Sequence, residues 1–258
     1  KILQLFGKWN NAQEISKNAI QLAEKIEDKK RMVNSISRLG TILHLKGYNK
    51  KALEYFEKGL KISEEIGDEE EISDAIGKKG LCYQEENNIK KAMECYNKQL
   101  EIDKKLQDKR GISFALGNLA LIYQNYNNYE KALEYYQEAL QLRKEIGDKI
   151  NIAASYKSIG NTYIYLGNFE KAIVNLIEAK KIREEIGDVK GTSDILNDIG
   201  NFYIQTQQPD KAIDYFQRTI ILTNKTNDLF LNALSKRKVG VLYIQSKQYD
   251  KGLNLINE

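Results

Sequence analysis

The side chains that most often carry enzyme chemistry are scarce in this sequence. Its 258 residues include one His and two Cys. A Ser–His–Asp or Cys–His site would have to use His44, and nothing around it, including Thr41 one helical turn earlier, marks an activated nucleophile. We therefore predict that His44 is a solvated surface side chain. We also predict that the protein has no catalytic residue and is not an enzyme.

The two cysteines, Cys82 and Cys95, are predicted to be buried structural thiols. Free thiols fit a reducing compartment, so we expect a cytoplasmic location. One His with two Cys is a poor set of metal ligands, and the glycines form no phosphate-binding loop. The sequence therefore predicts neither a metal nor a cofactor.

Charge and hydropathy exclude two further classes. The 40 Lys and Arg against 36 Asp and Glu give a net charge of +4. The two signs are evenly mixed, which argues against a dedicated nucleic-acid surface. No run of about 18 apolar residues is present, so no membrane-spanning helix is predicted. We expect a protein or peptide partner rather than nucleic acid or membrane.

A 40-residue repeat organises the whole chain. An aspartate recurs at one position of every repeat, a small residue at two others and a tyrosine at a fourth. These series are Asp28, Asp68, Asp108, Asp148, Asp188, Asp228; Ala12, Ala52, Ala92, Ala132, Ala172, Ala212; Gly40, Gly80, Ala120, Gly160, Gly200, Gly240; and Tyr83, Tyr123, Tyr163, Tyr203, Tyr243. Such coincident series predict a repeat protein.

Each repeat is predicted to be two antiparallel helices of roughly 16–18 residues joined by tight turns. Asp and Asn are good N-caps, and Gly suits the end of a helix, so Gly147-Asp148 ends one helix and starts the next. Pro209 suits a first helical position. We expect Gly40 and Ala52 to face each other, with aromatic rings filling the space on either side.

The repeat boundaries follow from the aspartate series. We expect a partial repeat at 1–28, full repeats at 29–68, 69–108, 109–148, 149–188 and 189–228, and a partial repeat at 229–258. In the first partial repeat, residues 9–26 are predicted to be a second helix. Solenoids need polar terminal caps and neither end shows one, so we expect a segment of a longer protein.

These residues resemble the tetratricopeptide repeat family. Its Leu-Gly, Tyr, Ala, Phe/Tyr, Ala pattern matches Leu119-Ala120, Tyr123, Ala132, Tyr136 and Ala139. The usual period is about 34 residues, so this chain is similar to the long-repeat branch with spindle-orientation adaptors, kinesin light chains and Rap-type regulators. The resemblance implies an all-α, right-handed superhelical solenoid of antiparallel helix pairs.

In this family the first helix of each pair lines the concave face. The resemblance therefore implies a binding groove along the exposed stripe beside the core stripe of each first helix. In the second and third full repeats this stripe holds Asp74, Gly77, Leu81, Gln84, Glu85, then Phe114, Gly117, Leu121, Gln124, Asn125. The residues that we predict to bind a peptide are Gln124, Lys157, Asn161, Ile164, Tyr165, Asn197, Asn201, Ile204, Gln205 and Arg237.

The chemistry of these ten residues suits a peptide. Asn amides offer donors and an acceptor to a peptide backbone, and Lys157 and Arg237 could pair with its acids. Some family members hold a C-terminal carboxylate through Lys, Asn, Asn, Lys and Arg. Here Lys157 and Asn161 match that set, whereas Asp198 would repel a carboxylate. A clamp of this type is therefore disfavoured.

Three functions stay open on the sequence. The favoured one is a non-enzymatic scaffold that captures an extended peptide or a helix of a partner in its groove. The second is a regulatory module that controls a kinase, cyclase or protease domain on the same polypeptide. The third is a structural role, in which arrays stack end to end.

Overall fold

The computed structural model describes the backbone of residues 2–257 and the side chains of residues 9–256. Within these residues the chain forms thirteen α-helices and no strand. The helices are α1 Ile2–Lys25, α2 Lys29–Leu45, α3 Asn49–Ile66, α4 Glu69–Glu85, α5 Ile89–Leu106, α6 Lys109–Asn125, α7 Tyr129–Ile146, α8 Lys149–Tyr165, α9 Phe169–Glu185, α10 Val189–Gln205, α11 Pro209–Thr226, α12 Leu229–Gln245 and α13 Tyr249–Asn257. The predicted all-α class and the predicted helix lengths are confirmed.

The chain divides into two compact units, Lys1–Asn125 and Tyr126–Glu258. The first contains α1 to α6 and the second α7 to α13. In each unit every helix packs against the next one along the chain. The short connections make these neighbours antiparallel.

The first helix is longer than the sequence pattern predicts. We expected it to begin near Trp9, whereas α1 begins at Ile2 and spans 24 residues. The stretch before Trp9 contains no proline, so no residue there forbids the helical backbone.

The turns between helices follow one scheme with a spacing of 20 residues. One residue of each turn has a positive φ, and five of these positions hold glycine: Gly47, Gly67, Gly147, Gly167 and Gly187. Glu27, Asn87, Gln107, Asn127, Gln207, Asn227 and Lys247 occupy the other seven. The left-handed conformation satisfies the last carbonyls of the preceding helix. At Gly147, for example, the backbone N–H donates to the carbonyl of Lys144 at 3.1 Å.

The next residue of the turn then caps the following helix. The carboxylate of Asp188 accepts from the backbone N–H of Gly191 at 2.9 Å, and the side-chain oxygen of Asn168 accepts from that of Lys171 at 3.1 Å. Pro209 occupies the first turn of α11. The predicted capping roles of the Asp and Asn series are therefore confirmed.

The conserved-looking small residues lie directly beneath large side chains of the paired helix. A Cβ added to Gly200 would lie 2.5 Å from Cε1 of Phe216, and Gly40 meets Phe56 in the same way. The expected facing of Gly40 and Ala52 is therefore incomplete, because the aromatic ring lies on the glycine rather than to one side. Phe216 is fully buried as a result.

Replacing Gly147 by Ala isolates the cost of the left-handed turn. Its φ is +76°, and nothing lies within 4 Å of the position of an added Cβ. We expect the free energy of unfolding to fall by about 1 kcal/mol, because an L-residue pays a steric cost in this conformation. Urea denaturation followed by circular dichroism measures the change. Gln107→Gly should raise the free energy of unfolding, and an unchanged stability in both variants would contradict the assignment.

Replacing Gly200 by Ala tests the close helix contact. The added methyl group would overlap the ring of buried Phe216, so we expect a loss of about 1–3 kcal/mol. Thermal and urea denaturation measure it. The double variant with Phe216→Leu should lose less than the sum of the two single changes, since the equivalent residue above Gly160 is Leu176. Strict additivity would refute the contact.

Candidate peptide-binding site

A depression on the second unit brings together six of the ten predicted binding residues. Its volume is about 350 Å³. It is lined by Asn161, Ile164, Tyr165, Asp198, Asn201, Phe202, Ile204 and Gln205. All eight side chains come from α8 and α10.

The repeat places these residues side by side. Helices α8 and α10 both have 17 residues, and both begin after an aspartate N-cap. Residues 40 apart therefore occupy the same position on two neighbouring helices, as Asn161 and Asn201 do. The two helices are in direct contact.

Asp198 organises one side of the depression. Its Oδ2 lies 3.2 Å from Nζ of Lys157 and accepts a hydrogen bond from Nδ2 of Asn161 at 3.4 Å. Lys157 is therefore already paired within the chain, which corrects the expectation that it waits for an acid of the ligand. Asp194, one turn earlier, has a raised pKa because burial disfavours its charge, although Lys157 opposes this effect.

Lys238 on α12 organises the other side. Its Nζ donates to Oδ1 of Asn197 at 3.0 Å and to Oδ1 of Asn201 at 2.7 Å. The same ammonium group lies 5.0 Å from the centre of the Phe216 ring. Burial lowers the pKa of Lys238, while the Asp198 carboxylate acts in the opposite direction.

These contacts fix which way each amide group points. An ammonium group can only donate, so Lys238 holds the Oδ1 atoms of Asn197 and Asn201 and leaves their Nδ2 groups as donors. Neither Nδ2 group has a hydrogen-bond partner among the described residues. In Asn161 the roles are reversed, because Nδ2 is used by Asp198 and Oδ1 is left as an acceptor. The site thus combines donors and an acceptor in fixed orientations.

Apolar surface lies beside the amide groups. Ile204 is 40% exposed and Tyr165 is 59% exposed. The Tyr165 ring stacks on that of Tyr129, with ring centres 5.1 Å apart. An aromatic pair of this kind offers a flat apolar surface with polar edges.

Two predicted binding residues lie apart from the depression. Gln124 is on α6 in the first unit. Arg237 is on α12, exposed, and forms no hydrogen bond or ion pair with another described residue. Asn161 and Asn201 are half-buried. They were expected to be exposed, and their hydrogen bonds to charged neighbours explain the difference.

Sequence reasoning missed Asp198 as an organising residue and Lys238 altogether. Asp198 was considered only as a misfit in a carboxylate clamp. The available signal was its placement on the helix next to that of Lys157, with the opposite charge. Lys238 follows Arg237 directly, and its spacing from Asn197 is one repeat plus one residue.

The single histidine is not the solvated side chain that we predicted. It is half-buried, and its Nδ1 lies 2.8 Å from Oδ1 of Asn49 and 3.9 Å from Sγ of Cys82. Burial raises the pKa of Cys82 to about 11, and its side chain is fully buried. A reactive cysteine has a lowered pKa and is accessible, so this pair lacks both properties of an activated nucleophile.

The remaining thiol chemistry follows the prediction in part. Cys82 and Cys95 are both free, and Cys82 is buried whereas Cys95 is half-buried. Among the described side chains no group of three or more His, Cys, Asp or Glu residues is arranged to hold a metal ion. No helix in the described part of the chain is long and apolar enough to cross a membrane.

Comparison with known proteins identifies the repeat. Models described as tetratricopeptide repeat match residues 33–66 and the overlapping segments 71–145, 111–185 and 151–225. Together they cover well over half of the chain. Among functionally curated proteins, none is significantly similar in sequence.

Solved structures are similar in fold at low sequence identity. BtubC (BKLC) from P. vanneervenii is 20% identical with a TM-score of 0.74, over 85% of this chain and 92% of that protein. A signal transduction ATPase with numerous domains, which has a tetratricopeptide repeat sensor, from Pyrococcus horikoshii, is 24% identical with a TM-score of 0.75, over 94% of this chain and 38% of that protein. A Rap protein complexed with competence and sporulation factor is 16% identical with a TM-score of 0.66, over 95% and 83%.

Replacing Lys238 by Met tests whether this residue orients the two amide groups. The side chain keeps its length and its contact with Phe216 but loses both hydrogen bonds. We expect stability to change by less than about 1 kcal/mol, because the lost bonds are offset by relief from burying a charge. The side-chain amide signals of Asn197 and Asn201 in ¹H–¹⁵N spectra should shift and broaden. Unchanged amide signals would show that Lys238 does not hold them.

Proposed function

Because the chain belongs to the tetratricopeptide repeat family, whose members are mostly non-catalytic protein-binding scaffolds, we propose that it binds an extended peptide segment of a partner protein. The proposed site is the face formed by α8, α10 and α12. The peptide backbone would lie across Asn161, Asn197 and Asn201.

The observation that supports this proposal is the fixed orientation of the three amide groups. An extended peptide presents N–H and C=O groups that need one acceptor and one donor per residue. Asn161 offers an acceptor, and Asn197 and Asn201 offer donors. Since charged neighbours hold these amides in place before binding, less side-chain freedom is lost on association.

The surroundings of the amides define the preferred peptide. Ile204 and Tyr165 supply exposed apolar surface for a hydrophobic side chain. Arg237 is the exposed cation nearest in sequence to Lys238, and it would pair with an acidic side chain of the peptide. A C-terminal carboxylate is not favoured, because Asp198 already neutralises Lys157.

The second candidate function is control of another domain on the same polypeptide. One structural relative is a signal transduction ATPase in which repeats of this kind are named as a sensor, and our chain covers 38% of it. The Rap relative was solved with a competence and sporulation factor. Both support a role in which ligand binding to the array is read by another domain. A catalytic role for the array itself, nucleic-acid or membrane binding, and a location other than the cytoplasm are not proposed.

Affinity capture from the source cell tests the proposed function. The bait is residues 1–258, and the site variant carries Asn161→Ala, Asn201→Ala and Ile204→Ala. We expect at least a tenfold loss of captured partner, because the variant removes an acceptor, a donor and an exposed apolar side chain. Quantitative mass spectrometry of the captured proteins measures the loss.

A matched variant on α9 controls for general effects. It carries Asn175→Ala and Ile177→Ala, two exposed residues of the second helix in the same repeat as Asn161. The control should capture the partner as the wild type does, and all three proteins should have the same circular dichroism. A partner that is retained by the site variant, or lost equally from both variants, would refute the proposed groove.

A further inference from the structure

A second pocket lies on the first unit between α4, α5 and α6. Its volume is about 330 Å³. Asp74 and Leu81 on α4 and Phe114 on α6 line it, and all three belong to the stripe that the sequence analysis singled out. Gln99 and Asp103 on α5 form its base.

Two buried acceptors in this pocket have no hydrogen-bond partner. They are Oε1 of Gln99 and Oδ2 of Asp103. Gln99 is 5% exposed and Asp103 is 2% exposed. The other carboxylate oxygen of Asp103 accepts from the hydroxyl of Ser73. A buried acceptor left without a partner costs about 1–3 kcal/mol, so the site is incomplete as it stands.

The repeat itself indicates what is missing. The positions equivalent to Asp103 in the next two repeats hold Arg143 and Arg183. Arg183 forms an ion pair with the N-cap aspartate Asp188. In the pocket, Asp103 takes the place of that arginine and faces the equivalent N-cap aspartate, Asp108. Two carboxylates therefore stand where other repeats have a guanidinium and a carboxylate.

The local charges leave this imbalance uncorrected. Lys78 is occupied, because its Nζ lies 2.5 Å from Asp74 and 2.6 Å from Oγ of Ser37. Arg110, at the rim, is exposed. Burial raises the pKa of Asp103, and the carboxylate of Asp108 adds to this effect. A cation placed in the pocket would relieve both.

The walls match the rest of an arginine side chain. Phe114 is 38% exposed, and with Leu81 it offers apolar surface to three methylene groups. A guanidinium presents several N–H donors in one plane, so it can bond to two acceptors at once. An ammonium group lacks this planar fork, so lysine is a poorer match.

We propose that this pocket binds the guanidinium group of an arginine side chain on a peptide partner, with Gln99 Oε1 and Asp103 Oδ2 as its acceptors. The peptide origin rests on the proposed function of the array. Asp74 and Glu70 at the pocket also favour a peptide, because they would repel the carboxylate of free arginine.

Binding of a small probe tests the pocket directly. The probe is Nα-acetyl-L-arginine amide, titrated at millimolar concentration and followed by saturation-transfer NMR. We expect it to bind at least tenfold more tightly than the citrulline analogue, which has the same shape without the charge. Free arginine should bind more weakly than the amide. Tighter binding of free arginine would overturn the peptide origin, and equal binding of citrulline would overturn the guanidinium site.

Two variants and one control locate the bound probe. Asp103→Asn keeps an oxygen for Ser73 and removes the charge, so binding should fall at least tenfold. Phe114→Lys places a competing cation at an exposed wall position and should abolish binding even if Asp103→Asn proves unstable. Glu101→Gln removes one exposed negative charge from the same helix and should change nothing. Binding that is indifferent to both pocket variants would refute the site.

The result is separable from that of affinity capture. The capture variants lie on α8 and α10, whereas the pocket variants lie on α5 and α6. Binding of the arginine probe therefore supports the pocket whether or not a partner is captured through Asn161 and Asn201. Loss of both activities would refute both proposals.

Discussion

One residue in the left-handed conformation recurs every 20 residues, from Glu27 to Lys247, and the position of every other side chain depends on it. Because each turn has the same backbone path, each helix starts at a fixed point relative to the last one. The helices between turns are 17 or 18 residues long from α2 to α12. Residues 40 apart therefore occupy equivalent positions, and the chain can repeat a contact or change its chemistry without changing its geometry.

The candidate groove is a direct consequence of this spacing. Asn161 and Asn201 are equivalent residues, so their amides lie on neighbouring helices and point to one depression. The charged residues that orient them, Asp198 and Lys238, are offset by one position from the equivalent stripe residues. This offset lets a charge on one helix reach an amide on the next, as the hydrogen bonds of Lys238 show.

Much of the fold could be predicted from the sequence because its causes are local. Asp188 caps a helix through an atom three residues away, and Gly147 ends one through its own φ. The candidate site was predictable only in part. The pairing of Lys157 with Asp198 joins residues 41 positions apart, and no local pattern states which of two charged side chains will turn towards the other. The same limit explains why half-burial of His44 was not foreseen.

The departures from the repeat carry the specificity of the array. One buried position reads Ser63, Asp103, Arg143, Arg183 and Thr223 along the chain. Its surroundings are nearly constant, since each copy lies beside the N-cap aspartate of the next helix. A change of side chain there alters charge and hydrogen-bonding capacity rather than fold. Where the change is from Arg183 to Asp103, it converts an internally satisfied ion pair into a pair of acceptors that only an external donor can complete.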